Sequence, residues 1–258
     1  MMIHNTPKLS EEVLQSLHSG KLRDLPILIN YPGFNECFVA LHPFLKIKTE
    51  NNEHLNFESN KRPDKFEIVA NYNPLTWQDV ITLTRIKDIS SLDRALAFLH
   101  RAYSYVERTE YYKLIRLLVK ERLDILPAEV DNIPKIIENK LLYFIKSLGY
   151  NEVLVYPNFL SYKEMVNIDK LISNQIVLPC QPRVETPDSK VLIATDFDQR
   201  FTYILSEKDI LQNFIESVNL EGFFCNKKTP ESWSYKIIQG EEKLDWSEDM
   251  ENYYKNKI

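Results

Sequence analysis

The run Lys190-Val191-Leu192-Ile193-Ala194-Thr195-Asp196-Phe197-Asp198-Gln199-Arg200-Phe201-Thr202-Tyr203-Ile204-Leu205 sets two apolar stretches on either side of a short polar segment. Apolar runs of this length, bounded by turn-forming residues, predict strands, and a connection this short joins antiparallel neighbours. Lys190 to Thr195 and Phe201 to Leu205 therefore read as a β-hairpin with Asp196 to Arg200 at its tip.

Toward the C-terminus, Ser206 is placed to cap a helix over Glu207 to Val218, and Gly222 to Cys225 reads as a further short strand. Toward the N-terminus, Pro179, Pro182 and Pro187 mark an extended connection, and Ser161 and Glu164 have the spacing of a capping box that opens a helix. Glu152 to Tyr156 reads as a strand. Before it, Ser91 to Glu107 places Leu92, Ala95, Leu96 and Leu99 on one helical face, and Glu110 to Leu126 does the same with Leu114, Leu117 and Leu118. Pro127 ends the second of these helices. Pro134 to Leu148 starts with proline and stops at Gly149, the terminal asymmetry of a helix. Three helices in succession predict a bundle-like layer.

Asn51 to Asn73 is polar and irregular and reads as a long surface loop. Ahead of it, Ile27 to Tyr31 and Cys37 to Leu41 read as strands joined through Pro32-Gly33, after a short helix over Glu11 to His18. Strands on both sides of the helical block can share one sheet. The expected fold is α+β: a single mixed domain over residues 1–240, with a largely antiparallel sheet, a central three-helix block and a loop insertion at about 51–73.

The chain has 258 residues, 44% hydrophobic and 27% charged, a composition that predicts a packed core. It shows no secretory signal pattern and no apolar stretch approaching the ~20 residues of a membrane span. A cytoplasmic location is the expectation. Only five glycines occur, none in a phosphate-cradling pattern, which argues against Rossmann and P-loop chemistry. Cys37, Cys180 and Cys225 form no paired metal motif and read as buried free thiols. The five histidines include no H-x-x-x-H pair. Basic and aromatic residues from Arg101 to Arg122 are interrupted by Glu107, Glu110 and Glu121, so nucleic acid and membrane surfaces are not expected partners. Glu241 to Glu251 holds six acids against Lys243 while the remaining residues balance, and the tail 241–258 adds Trp246, Tyr253 and Tyr254, a composition suited to contact with a single protein partner.

Asp196-Phe197-Asp198 is the sharpest chemical signal. Two carboxylates spaced by one residue at a strand end supply hard oxygen ligands for Mg or Mn, with His42 or Glu221 as acid or base. The layout resembles the D-x-D of haloacid-dehalogenase phosphatases and of glycosyltransferases. It departs from the phosphatases at Arg200, where they carry threonine or valine. The alternative is a turn in which the aspartates bond local backbone groups.

Val39-Ala40-Leu41-His42-Pro43-Phe44 and the run from Leu192 to Asp198, through Phe201-Thr202-Tyr203 to Glu221-Gly222-Phe223-Phe224-Cys225 and Trp233, resemble an uncharacterised family of cytoplasmic proteins of Bacillus and related Firmicutes. That resemblance implies no activity and no cofactor. The leading expectation is a non-catalytic protein-binding protein of the immunity or adaptor kind. The alternative is a metal-dependent hydrolase or transferase using Asp196 and Asp198.

Overall fold

The computed structural model describes residues 25–48, 63–100, 105–106, 108–122, 124–158, 162–231, 233–234 and 242–243. A 3-10 helix, Ile27–Asn30, precedes strands β1 (Glu36–Leu41) and β2 (Phe44–Ile47). Helix α1 (Lys65–Asn71), strand β3 (Tyr72–Leu75) and helices α2 (Trp77–Thr84) and α3 (Ile89–Leu99) follow. Next come β4 (Tyr105–Val106), α4 (Arg108–Arg116) with a π-helical turn over Leu117–Glu121, β5 (Ile125–Leu126) and α5 (Lys135–Ser147). The remainder is β6 (Glu152–Pro157), β7 (Glu164–Asn167), α6 (Ile168–Ile172), β8 (Pro182–Glu185), β9 (Leu192–Ala194), β10 (Phe201–Ser206), α7 (Lys208–Val218), β11 (Gly222–Phe224) and β12 (Glu242–Lys243).

The main sheet has the order β11-β1-β10-β9-β8-β6-β7, with every neighbouring pair antiparallel. The expected hairpin is β9 and β10, in the register Tyr203↔Ala194 and Leu205↔Leu192. Strand β1, from before the helices, lies between β10 and β11, so one sheet does collect strands from both ends of the domain.

Side chains alternate across each strand, and both faces are apolar. Cys37, Val39 and Leu41 of β1 join Phe201, Tyr203 and Leu205 of β10 in one core, which α2, α3 and α4 cover through residues such as Trp77, Leu96 and Tyr111. Phe38, Ala40, Ile193 and Ile204 point the other way, into a second core closed by Leu141 and Ile145 of α5, Leu171 of α6, and Leu211 and Phe214 of α7. The result is an α+β domain in which helices cover both sheet faces.

Several local expectations change. The three central helices do not make one layer: α5 crosses to the opposite face, where its stripe Ile137, Leu141, Leu142 and Ile145 meets the second core. The second of them stops short, because Ile125 and Leu126 pair with β2 as β5. Residues 63–73 are not loop: Asp64 and Glu67 form a reciprocal capping box that opens α1, and Tyr72 begins β3. Residues 51–62 lie outside the described residues, as do those of the expected first helix. Ile27 to Asn30 coil as a 3-10 turn behind Pro26 rather than extending. Glu164 lies in β7 rather than in a helix, drawn out by pairing with Val155 of β6. Ser206 does not cap α7: its hydroxyl donates to the Lys190 carbonyl, and Glu207 occupies the cap. Cys37 and Cys225 are buried, but Cys180 is exposed. Of the acidic tail only Glu242–Lys243 are described, paired with β4. No described helix is long and apolar enough to cross a membrane.

Gly222 is the glycine the sheet requires. A Cβ there would lie 1.9 Å from the Val39 carbonyl oxygen and 2.8 Å from the Phe38 ring. Gly222→Ala must push β11 off β1, and overpacking of this kind costs roughly 1–3 kcal/mol. Chemical denaturation of the variant should show that loss; a stability equal to wild type would contradict the close approach.

Candidate functional site

The antiparallel register brings the chemistry-bearing residues to one end of the sheet. Leu41 pairs with Phe201, Tyr203 and Arg183 both pair with Ala194, and Pro157 pairs with Pro182. His42, Arg200, Thr195, Asp196, Arg183 and Asn158 therefore lie at or just beyond the same row of strand ends.

Both aspartates of the Asp-Phe-Asp tip help to fix the β9–β10 loop, Asp196 through its carboxylate and Asp198 through its backbone. Asp196 forms an ion pair with Arg183 and accepts a hydrogen bond from the Tyr31 hydroxyl at 3.1 Å. Burial, together with the charge of Asp196, pushes the Tyr31 hydroxyl well above its ordinary range, so it stays protonated and donates. Arg183 donates further to the Thr195 carbonyl at 2.8 Å and to Asn158 at 2.9 Å. Asp198 takes a left-handed φ of 58°; its N–H donates to the Asp131 carboxylate at 2.5 Å, and its carbonyl accepts from Arg200. Asp131 and Gln181 are left-handed as well, and the Gln181 N–H donates to the Asp131 carbonyl at 2.7 Å. Non-glycine residues hold such backbone only where surrounding bonds over-determine it.

Arg200 itself is fully buried. Its Nε and Nη2 reach the Asp93 carboxylate at 2.7 and 3.0 Å, and Asp93 on α3 is equally buried. The Ser234 hydroxyl donates to the same carboxylate at 2.5 Å, while Arg94 donates to the Ser234 carbonyl at 2.6 Å. The residue that breaks the phosphatase pattern is thus the cation of a buried ion pair. Phe197, between the two anchored aspartates, is 58% exposed. The loop turns the Asp196 carboxylate inward and the ring outward.

The remaining predicted site residues are brought into the same network or held near it. His42 is fully buried. Its Nδ1 lies 2.7 Å from the Glu129 carbonyl, an acceptor only, so Nδ1 carries the proton and donates. Nε2 then accepts from the Thr202 hydroxyl at 2.8 Å, which in turn accepts from Thr195 at 2.8 Å. Glu221 caps α2: its carboxylate accepts from the amides of Trp77 at 2.6 Å and Gln78 at 3.0 Å. A hydrogen bond with Cys225, then burial, push the Cys37 thiol well above its usual range. It stays a thiol rather than a nucleophilic thiolate. Tyr111, from the basic and aromatic helix, is buried against Phe98. Trp246, Tyr253 and Tyr254 lie outside the described residues.

Arg183, Tyr31, Asp131 and Asp93 are members that sequence reasoning missed. One signal was available for Asp93: the unbroken apolar run Ala95-Leu96-Ala97-Phe98-Leu99 announces a helix buried all round, inside which a carboxylate needs a cation.

Fold and site together define an α+β domain whose strand-end polar groups serve as internal ties. Among the described residues no three His, Cys, Asp or Glu side chains gather where they could hold a metal ion, and Asp196 already has Arg183 as its counter-charge. A family model described as a protein of unknown function, DUF2711, matches residues 23–235, and the chain belongs to that family. No curated protein and no solved structure matches the chain.

A cation that bound the native tip would raise its stability by mass action. With Asp196 neutralised by Arg183, Mg²⁺ or Mn²⁺ at millimolar concentration should leave the thermal midpoint unchanged. A rise that Asp196→Asn and Asp198→Asn abolish would restore the metal reading.

Proposed function

We propose that this chain is a non-catalytic binding protein of the cytoplasm, immunity- or adaptor-like, that recognises a single protein partner through the β9–β10 loop. The observation that carries the reading is Phe197: an aromatic ring 58% exposed at the tip of a loop whose flanking residues are tied to Arg183, Tyr31, Asp131 and Arg200. Interface hot spots are enriched in aromatic anchors, and an anchor fixed before binding loses little conformational freedom on docking. The groups with acid–base or nucleophilic character support the same reading. His42 and Glu221 have their polar atoms in hydrogen bonds that close the fold, and Cys37 remains protonated. Trp246, Tyr253 and Tyr254, in the acidic tail, are proposed as a second contact with the same partner.

The test is affinity capture from lysate of the source organism, with the retained proteins identified by mass spectrometry, for the full chain and its Phe197→Ala variant. One stoichiometric partner, held by the wild type and weakened about tenfold or more in Phe197→Ala, is expected. Equal retention by the variant would remove the loop from the reading, and a wild type that retains nothing would contradict the reading itself.

A further inference from the structure

The two edges of the main sheet differ in how they meet solvent. Natural edges are blunted by charge, by proline or by a covering element. At the β7 edge, Lys163 and Glu164 supply charge, and Lys163 is tied to Glu185. At the other edge β11 presents Gly222, Phe223 and Phe224, and no described strand pairs with its outer side.

The inner side of β11 is fully used. The Cys225 N–H donates to the Cys37 carbonyl at 2.8 Å, the Leu41 N–H to the Glu221 carbonyl at 2.9 Å, and Phe223 faces Val39 between them. Antiparallel ladders alternate, so Gly222 and Phe224 direct their N–H and C=O groups outward. Phe224 is 45% exposed. Beside it, between the edge and α7, is a hollow of about 460 Å³ lined by Glu36, Lys208, Gln212, Ile215, Glu216 and Phe224.

We infer that this edge pairs with the same edge of a second copy of the chain, giving a two-fold dimer with one sheet running through both. The backbone is self-complementary: a two-fold axis at Phe223 sets Gly222 opposite the second copy's Phe224, so each outward N–H finds a carbonyl. Helix α7 is self-complementary too. Lys208, Gln212 and Glu216 lie one turn apart on the flank facing the hollow, with the cation first and the anion last. In an antiparallel pair of these helices Lys208 faces the second copy's Glu216, and Gln212 faces its own counterpart. Among the described residues Lys208 makes no ion pair, so its charge is open to this contact. An extended segment of another protein would satisfy the edge backbone, but it would leave the order of charges along α7 without a role.

The solution mass of the full chain tests this, by sedimentation equilibrium on charge-swap variants at exposed positions that leave both cores untouched. The wild type should be a dimer. Lys208→Glu and Glu216→Lys should each raise the dissociation constant by at least about tenfold, because each sets like charges opposite one another. The double variant should recover the wild-type value. A wild type that is monomeric at its highest soluble concentration overturns the dimer. So does a dimer indifferent to the swaps, or an edge found occupied by a segment of another protein.

Discussion

The constraint on which the rest depends is the burial of Arg200 against Asp93. An unpaired guanidinium in a core is costly, and an unpaired carboxylate equally so. The two are tolerated because the pairing is bidentate, at 2.7 and 3.0 Å, and because Ser234 and the Asp198 carbonyl take up further bonding capacity. Satisfying Arg200 in this way fixes α3 against the start of β10, sets the path of the β9–β10 loop, and holds residue 234 against both. The geometry of the candidate site follows from a requirement of the core.

Around that pair the sheet end is closed by successive ties, each from a different part of the chain. Arg183 from β8 neutralises Asp196, Tyr31 from the segment before β1 donates to the same carboxylate, and Asp131 from the approach to α5 holds the Asp198 amide. His42, at the end of β1, joins Thr202 to the Glu129 carbonyl. Residues far apart in sequence are brought together because every strand of the sheet runs antiparallel to its neighbours, which returns alternate strand ends to the same side.

Much of the fold was legible in the sequence, because hydrophobic period and turn chemistry are local properties. The β9–β10 hairpin, the strands β1 and β6, and the helices α3, α5 and α7 all announce themselves this way. What failed were competitions that only tertiary contacts decide. Glu164 has capping-box spacing yet lies in β7, because Val155 offered a ladder. Ile125 and Leu126 continue a helical stripe yet pair with β2. The capping box of Asp64 and Glu67 was present in the sequence, but the surrounding asparagines and prolines masked it. At the site, the D-x-D pattern drew attention to the loop, but the ion pair of Asp196 was not legible, since Arg183 lies 13 residues away and no local pattern announces it. Arg200 was visible only as a departure from a known pattern, and its explanation lay on α3.

The central claim is that the buried Arg200–Asp93 pair locks the loop that carries Phe197. It is tested most directly by native-state hydrogen exchange at the Asp198 amide, compared between the wild type and Arg200→Met. If the loop is locked, this amide exchanges only when the domain opens, with protection matching that of β10, and loses most of that protection in the variant. Wild-type exchange at the rate of an unprotected turn, or protection that survives the substitution intact, would contradict the account.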